Sequence, residues 1–209
     1  MIVRETETVI IGTGCAGYNA ADCLYALGKT DVVILTEGVR MGTSRNTGSD
    51  KQTYYKISVA GDQQDSVEAM AQTLFDGGGV MGDVALCEAA GSLQGFYKLA
   101  DLGVPFPKNE YGEYAGYKTD HDPRMRATSA GPLTSRFMTE ALERAVLGKG
   151  IPVQDHQQVV RVLTAEGRVC GVLTLDTENG GWVVYRCHNV IAATGGQAIT
   201  YETSVYPES

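Results

Sequence analysis

With 209 residues, 43% of them apolar and 20% charged, the chain has the composition of a globular domain able to bury a core, not of a disordered segment. Its formal net charge of −8 and scattered basic residues exclude a non-specific grip on nucleic acid and leave no Lys/Arg run for a membrane surface. No apolar run reaches the length of a membrane span, and the N-terminus lacks the basic and long apolar regions of a signal peptide.

Residues 8 to 12, TVIIG, are a short apolar run ended by glycine, the pattern of a buried parallel strand. Ala16, Ala20, Cys23, Leu24 and Leu27 then recur at helical spacing, and Gly28 is placed to stop that helix. VVIL, residues 32 to 35, is a second buried strand, so the first 36 residues read as a βαβ unit. Residues 39 to 62, rich in Gly, Ser, Thr and Asn, read as a long ordered loop. Helices are expected over 64–76, 83–102 and 131–147, the last with Leu133, Phe137, Ala141 and Leu142 on one side. Residues 103 to 125 show no clear period, and Ile151 to Asp155 is the next strand.

From residue 157 the pattern changes. VVRVLTAEGRVCGVLTLD carries two β-rich runs around Glu166-Gly167, a hairpin signal, and Asn179-Gly180-Gly181 turns the chain into WVVYRC. Together these make a three-stranded antiparallel meander, after which NVIAATGG repeats the opening logic of an apolar strand running into glycines. The fold class is therefore α/β, a Rossmann-like, mostly parallel sheet beside the meander.

The chemistry concentrates in GTGCAG, residues 12 to 17. A lone G-x-G-x-x-G is weak, but this one leaves a strand, opens a helix and has Glu37 twenty residues after Gly17, at the end of the second strand. Gly12 allows the tight turn, Gly14 lets a pyrophosphate approach the backbone, and Gly17 lets helix and strand pack closely. The helix start at Cys15, Ala16 and Gly17 offers free N–H groups and the positive end of the helix dipole. Glu37 suits ribose hydroxyls and disfavours a 2′-phosphate, which argues against NADP. Two further stretches are candidates. MGTSRNTGSDKQTYY, residues 41 to 55, interleaves small hydroxyl residues with glycines and can form nests of N–H groups, and Ala193-Thr194-Gly195-Gly196 follows a strand. Each also reads as a plain polar loop or strand exit.

The five cysteines, none spaced as C-x-x-C, lie in apolar stretches and read as small buried hydrophobes, reduced in a cytoplasmic protein. His121 sits in KTDHDPRMR with no second histidine at ligand spacing, so a solvated charged loop is favoured over a metal site, and no metal is expected. His156 and His188 flank strands and read as structural.

Taken together, the fingerprint with Glu37, the Gly/Ser/Thr-rich loop MGTSRNTGSDK, the segments KLADLGVPFPKNEYGEY and GPLTSRFMTEALERAVLGKGIPV, and the meander ending VIAATGG resemble the fumarate reductase/succinate dehydrogenase flavoprotein family, which includes L-aspartate oxidase. The resemblance runs loosely through nearly the whole chain. It implies an FAD-dependent oxidoreductase that transfers hydride between flavin N5 and a small carboxylate or activated alkene. Residues 1–209 would be the N-terminal part of its FAD-binding domain. By this resemblance Thr36, Glu37, Thr43, Ser44, Gly48, Ser49 and Asp50 join the fingerprint as cofactor contacts. The backbone at Val159 and Val160 lies near the adenine, and Thr194 and Gly195 approach the pyrophosphate.

Two departures carry meaning. Thr43 stands where covalent members place the flavin-bonding histidine, so FAD is expected to be non-covalent. Ser49-Asp50-Lys51 replaces the usual small, Gly-rich loop end, leaving Asp50 either to tune the flavin or to contact a ligand. The resemblance also implies that the family's capping domain and C-terminal return lie beyond Ser209, and with them the catalytic residues. The expected partners are a small-molecule substrate and an electron-transfer protein, without nucleic acid or a transmembrane segment. Two alternatives remain at this level: an NAD-binding domain without flavin, and a non-catalytic FAD- or ADP-binding module.

Overall fold

The computed structural model describes residues 1–61, 63–120 and 122–196, which divide into two compact units, 1–47 with 139 onwards, and 48–138. In the first unit, strands β2 (Thr8–Ile11), β3 (Val32–Leu35), β7 (Val153–Gln154) and β11 (Asn189–Ala192) form a parallel sheet in the order β11-β2-β3-β7. Helix α1 (Cys15–Ala26) joins β2 to β3 and packs on both. It ends as the sequence requires, with Gly28 at φ +76°, a left-handed position that only glycine adopts without cost.

The meander forms as expected from β8 (Gln157–Ala165), β9 (Arg168–Asp176) and β10 (Trp182–Arg186). The turn between β8 and β9 has positive φ at both Glu166 (51°) and Gly167 (75°), the signature of a tight two-residue hairpin matched to strand twist. One strand of this unit was not foreseen: β1 (Ile2–Glu5) adds in parallel to β10, making a four-stranded sheet in the order β1-β10-β9-β8. The two sheets pack face to face through Val9, Val33 and Leu35 on one side and Val172, Val183, Tyr185 and Cys187 on the other. Burying both faces of β2 and β3 is what makes TVII and VVIL continuous apolar runs.

In the second unit, α3 (Val67–Asp76) and α4 (Gly82–Asp101) pack through Met70, Ala71, Ala85 and Ala89. Ser66 caps α3, its Oγ accepting from the Ala69 N–H at 3.1 Å. The expected loop over 39–62 instead holds a short helix, α2 (Thr43–Asn46), which belongs to the first unit, and a two-residue strand, β4 (Tyr54–Tyr55), in the second. The stretch without period holds β5 (Tyr117–Thr119) and the start of β6 (Asp122–Thr128), which pair antiparallel in the order β4-β6-β5. Helix α5 (Thr134–Gly148) starts three residues later than its pattern suggested and leads back into the first unit, leaving Leu133 ahead of it and exposed.

In KTDHDPRMR the residues before His121 are exposed, as a solvated segment would be, but those after it form β6 and do not stay in solvent. Arg126 and Asp122 are buried, because Arg126 meets Asp65 through Nε at 2.8 Å and Nη2 at 2.6 Å, Thr73 through Nη1 at 2.9 Å and Asp122 at 3.3 Å. Tyr55 donates to Asp122 in the same cluster. His121 lies outside the described residues. The cysteines depart from expectation too: Cys187 is buried and Cys15 half-buried, but Cys23, Cys87 and Cys170 are exposed. Among the described residues no helix is long and apolar enough to cross a membrane, and no group of three or more His, Cys, Asp or Glu side chains is placed to hold a metal.

Candidate cofactor site

The fingerprint turn is fixed by two close approaches of backbone. Gly12 has φ +107°, and a Cβ on it would overlap the carbonyl oxygen of Ala193. A Cβ on Gly17 would overlap the carbonyl oxygen of Gly12 and lie 3.0 Å from its carbonyl carbon. Neither glycine could be another residue without moving main chain. Gly14 differs: its φ of −77° is open to any L-residue, and the one atom within 4 Å of its missing Cβ is Ser44 Oγ, at 3.0 Å.

Gly14 caps α1 without offering a side chain, and the loop supplies one from a distance. Ser44 Oγ accepts from the Cys15 N–H at 3.1 Å. Among the described residues nothing takes up the N–H groups of Ala16 and Gly17, which leaves the positive end of α1 with donors to spare. The Cys15 thiol lies 2.9 Å from Thr139 Oγ1, and burial pushes its pKa up despite those neighbours. Arg45, next to Ser44, is anchored to α5 by Glu143 at 2.8 Å and Glu140 at 3.6 Å, which holds α2 in place within the first unit.

Other expected residues gather at the same C-terminal edge of the parallel sheet. Ala193 donates its N–H to Ile11 at 2.9 Å, so Thr194 and Gly195 run beside Gly12, with Gly195 at φ +77°. Thr36 and Glu37 leave β3 directly after Leu35. Thr36 is buried and its Oγ1 lies 3.0 Å from Thr13 Oγ1, tying that exit to the fingerprint. Glu37 is exposed, and its carboxylate takes part in no hydrogen bond or ion pair among the described residues. The Gln157 N–H donates to Thr36 at 2.8 Å and brings the start of β8 alongside. There Val159 is half-buried against the core and Val160 exposed. Thr43 is exposed at the start of α2. Gly48, Ser49 and Asp50 belong to the second unit, where the Ser49 N–H donates to Pro132 at 3.1 Å.

The sequence reading missed Thr13, Arg45 and Asp155. Thr13 occupies a variable position of the fingerprint, which carries no signal of its own. The Asp155 carboxylate accepts from the Val39 N–H at 3.0 Å and holds the turn after Glu37. In the sequence it is only an acid at the end of a strand, and the structure places His156, which follows it, at φ 56°.

A family model described as an FAD binding domain matches residues 7–207. The chain belongs to that family. This removes the alternative of a nucleotide domain without flavin. The FAD binding domain is 27% identical over 212 residues to L-aspartate oxidase of Mycobacterium leprae, covering 98% of this chain and 38% of that one. It is 24% identical over 200 residues to the 8-methylmenaquinol:fumarate reductase flavoprotein subunit of Wolinella succinogenes, covering 93% and 32%. Its fold matches a solved quinol fumarate reductase of E. coli with a TM-score of 0.82 at 21% identity, over 96% of this chain and 34% of the other. The chain thus spans about a third of the length of the curated relatives it matches.

Proposed function

We propose that this domain works within a flavin-dependent oxidoreductase of the fumarate reductase/succinate dehydrogenase type, acting in the cytoplasm on a small carboxylate or activated alkene and exchanging electrons with a partner protein. Bound FAD supplies the hydride-transferring centre, flavin N5. One observation carries the assignment of the site: Gly12–Gly17, Thr36–Glu37, Ser44 and Thr194–Gly195 meet at one edge of the parallel sheet, around a helix N-terminus with unused donors.

Those residues suit the adenosine and pyrophosphate half of the cofactor. The N–H groups of Ala16 and Gly17 would take phosphate oxygens, and the bare Cα of Gly14 leaves room for them. Ser44 Oγ, which accepts from the Cys15 N–H and also bonds the Cys15 side chain, stands at the same edge. Glu37, free and exposed at the end of β3, would accept from the ribose hydroxyls. Gly48, Ser49 and Asp50 are proposed for the flavin half on the strength of the loop alone. Thr43 has no nucleophilic ring nitrogen, so the flavin is held without a covalent bond.

Gly14→Val tests the site. Its Cβ meets Ser44 Oγ, at 3.0 Å, and no main chain, so flavin content after gel filtration should fall about tenfold or more while the fold persists. Unchanged flavin content would remove the fingerprint from the reading. Acid precipitation should leave a colourless pellet, whereas a yellow pellet would show a covalent link and overturn the reading of Thr43. Turnover of small unsaturated carboxylates with a reduced dye as donor separates the oxidoreductase from a non-catalytic module that binds FAD but transfers nothing.

A further inference from the structure

The first unit contains a cross-strand pair of thiols. β9 and β10 run antiparallel with Val183 opposite Thr174 and Tyr185 opposite Val172. Two residues further, where the pairing of β9 with β8 is irregular at Cys170, the Cys187 N–H donates to the Cys170 carbonyl at 3.4 Å, which sets the two cysteines opposite each other. Directly opposed residues project from the same face of a sheet. Here that face carries Thr174, Val172, Val183 and Tyr185, all buried. The two thiols differ in access: Cys187 is 4% exposed and part of the core between the sheets, whereas Cys170, at the rim, is exposed.

Both line a cleft of about 490 Å³ whose charged groups include Glu5, Glu7, Asp31 and Arg186. Glu5 faces Arg186 at 3.5 Å and Glu7 faces Lys29 at 3.9 Å, so Asp31, which accepts from the Thr6 hydroxyl and the Glu7 N–H, tips the cleft negative. We propose that Cys170 and Cys187 form a reversible disulfide by exchange with a small, cationic disulfide that enters this cleft.

The geometry permits the bond and keeps it labile. A hydrogen-bonded antiparallel pair holds its Cα atoms about 5.5 Å apart, inside the roughly 4.4–6.8 Å that a disulfide spans. Its Cβ atoms, at about 5 Å, are wider than the roughly 3.8 Å of a relaxed disulfide, so the strands must pinch. β10 ends at Arg186, just before Cys187, so the pinch falls where the ladder stops. A bond closed against that resistance is readily reduced.

The steps balance. The Cys170 thiolate attacks one sulfur of R–S–S–R, whose S–S bond breaks, and R–S⁻ leaves and takes up a proton. Cys187 then loses its proton and attacks Cys170 Sγ, expelling the second R–S⁻. The protein dithiol gives up two electrons and two protons, and the small disulfide becomes two thiols. Burial pushes the Cys187 thiol up, and the neighbouring Cys170 adds to this. Cys187 is thereby suited to resolve rather than to attack first. The link joins β9 to the segment leading into β11, whose end carries Ala193 onto Gly12.

The test treats the purified protein with cystamine or with oxidised glutathione at neutral pH, alkylates it with iodoacetamide after unfolding in denaturant, and maps peptides by mass. Thiols 170 and 187 should lose alkylation together with no retained adduct, and dithiothreitol should restore them. Cystamine should react several-fold faster than the anionic glutathione disulfide, with the difference shrinking in high salt. Cys187→Ala should trap a cysteamine adduct on Cys170. Cys170→Ser, at an exposed position, should leave Cys187 alkylatable after either reagent. A stable adduct on Cys170 in the unaltered protein, or a bond from either thiol to Cys23 or Cys87, overturns the pairing. Equal rates for the two reagents overturn the cationic preference.

Discussion

Gly12 lies against the carbonyl group of Ala193: a Cβ on Gly12 would overlap that oxygen and come within 3.1 Å of its carbon. The fingerprint is therefore a packing joint between β2 and the exit of β11 as well as a cradle for an anion. The three glycines divide accordingly, since Gly12 and Gly17 are closed in by main chain while Gly14 faces only a hydroxyl.

Stability should follow that division. Gly12→Ala and Gly17→Ala should each cost roughly 2–3 kcal/mol in the FAD-free protein, from left-handed strain at the first and overpacking at both. Gly14→Ala should cost less than about 1 kcal/mol, the difference between glycine and alanine as an N-cap. Urea midpoints of the three variants check this. A Gly14→Ala midpoint as low as the other two would mean that the helix entry is tighter than the Ser44 contact suggests.

The turn between β8 and β9 should accept improvement. Glu166 holds φ 51°, a region where a residue without a short polar side chain loses about 1–2 kcal/mol. Asparagine visits that region readily and is the preferred partner for a following glycine. Glu166→Asn should therefore raise stability by about 0.5–1 kcal/mol and Gly167→Ala lower it by a similar amount, both read from thermal midpoints. No gain from Glu166→Asn would mean that the Glu166 side chain contributes elsewhere.

What was legible in the sequence follows from burial. TVII and VVIL were readable because strands covered on both faces become continuous apolar runs, and Glu166-Gly167 because its turn type demands positive φ. IVRE was not, since β1 is an edge strand exposed along its length and carries no alternation. β6 was hidden by its charges. Arg126 is buried because Asp65, 61 residues earlier, neutralises it, and periodicity cannot see a pairing across that separation. At the site the glycines were readable, but the Ser44 bond to Cys15 and the Thr13–Thr36 contact depend on tertiary approach.

Acid should weaken the second unit through Asp65. Burial pushes this carboxyl up, but hydrogen bonds from Arg126 and from the Ser58 and Ser66 N–H groups outweigh it and hold its pKa at about 2. A depressed carboxylate stabilises above its unfolded value of about 3.9 and loses that contribution as pH falls through the folded one. Asp65→Asn leaves the buried Arg126 short of a counter-charge and should cost about 3–5 kcal/mol at neutral pH. Its loss of stability between pH 4 and about 2 should also be shallower than that of the unaltered protein. Parallel acid profiles for the two proteins would contradict this role.

Lys56 should be a liability to the same unit. It is 0% exposed, its Nζ has no hydrogen-bond partner among the described residues, and it lies 4.9 Å from the centre of the Phe96 ring. The ring face recovers part of the lost hydration of an ammonium, on the order of 1–2 kcal/mol, and a full charge there remains undercompensated. Burial accordingly pulls the Lys56 pKa down. With a folded value below the unfolded one, the unfolded chain binds more protons between the two, so stability rises with pH through that interval. Below the folded value the penalty is complete and constant. Lys56→Met keeps the length and apolar stem while removing the amine. It should raise stability at neutral pH by about 1–3 kcal/mol and abolish the alkaline gain. Urea unfolding of both proteins, from neutral to alkaline pH, measures the two effects together. If Lys56→Met is less stable at neutral pH, the amine makes a favourable interaction that the ring contact alone does not account for.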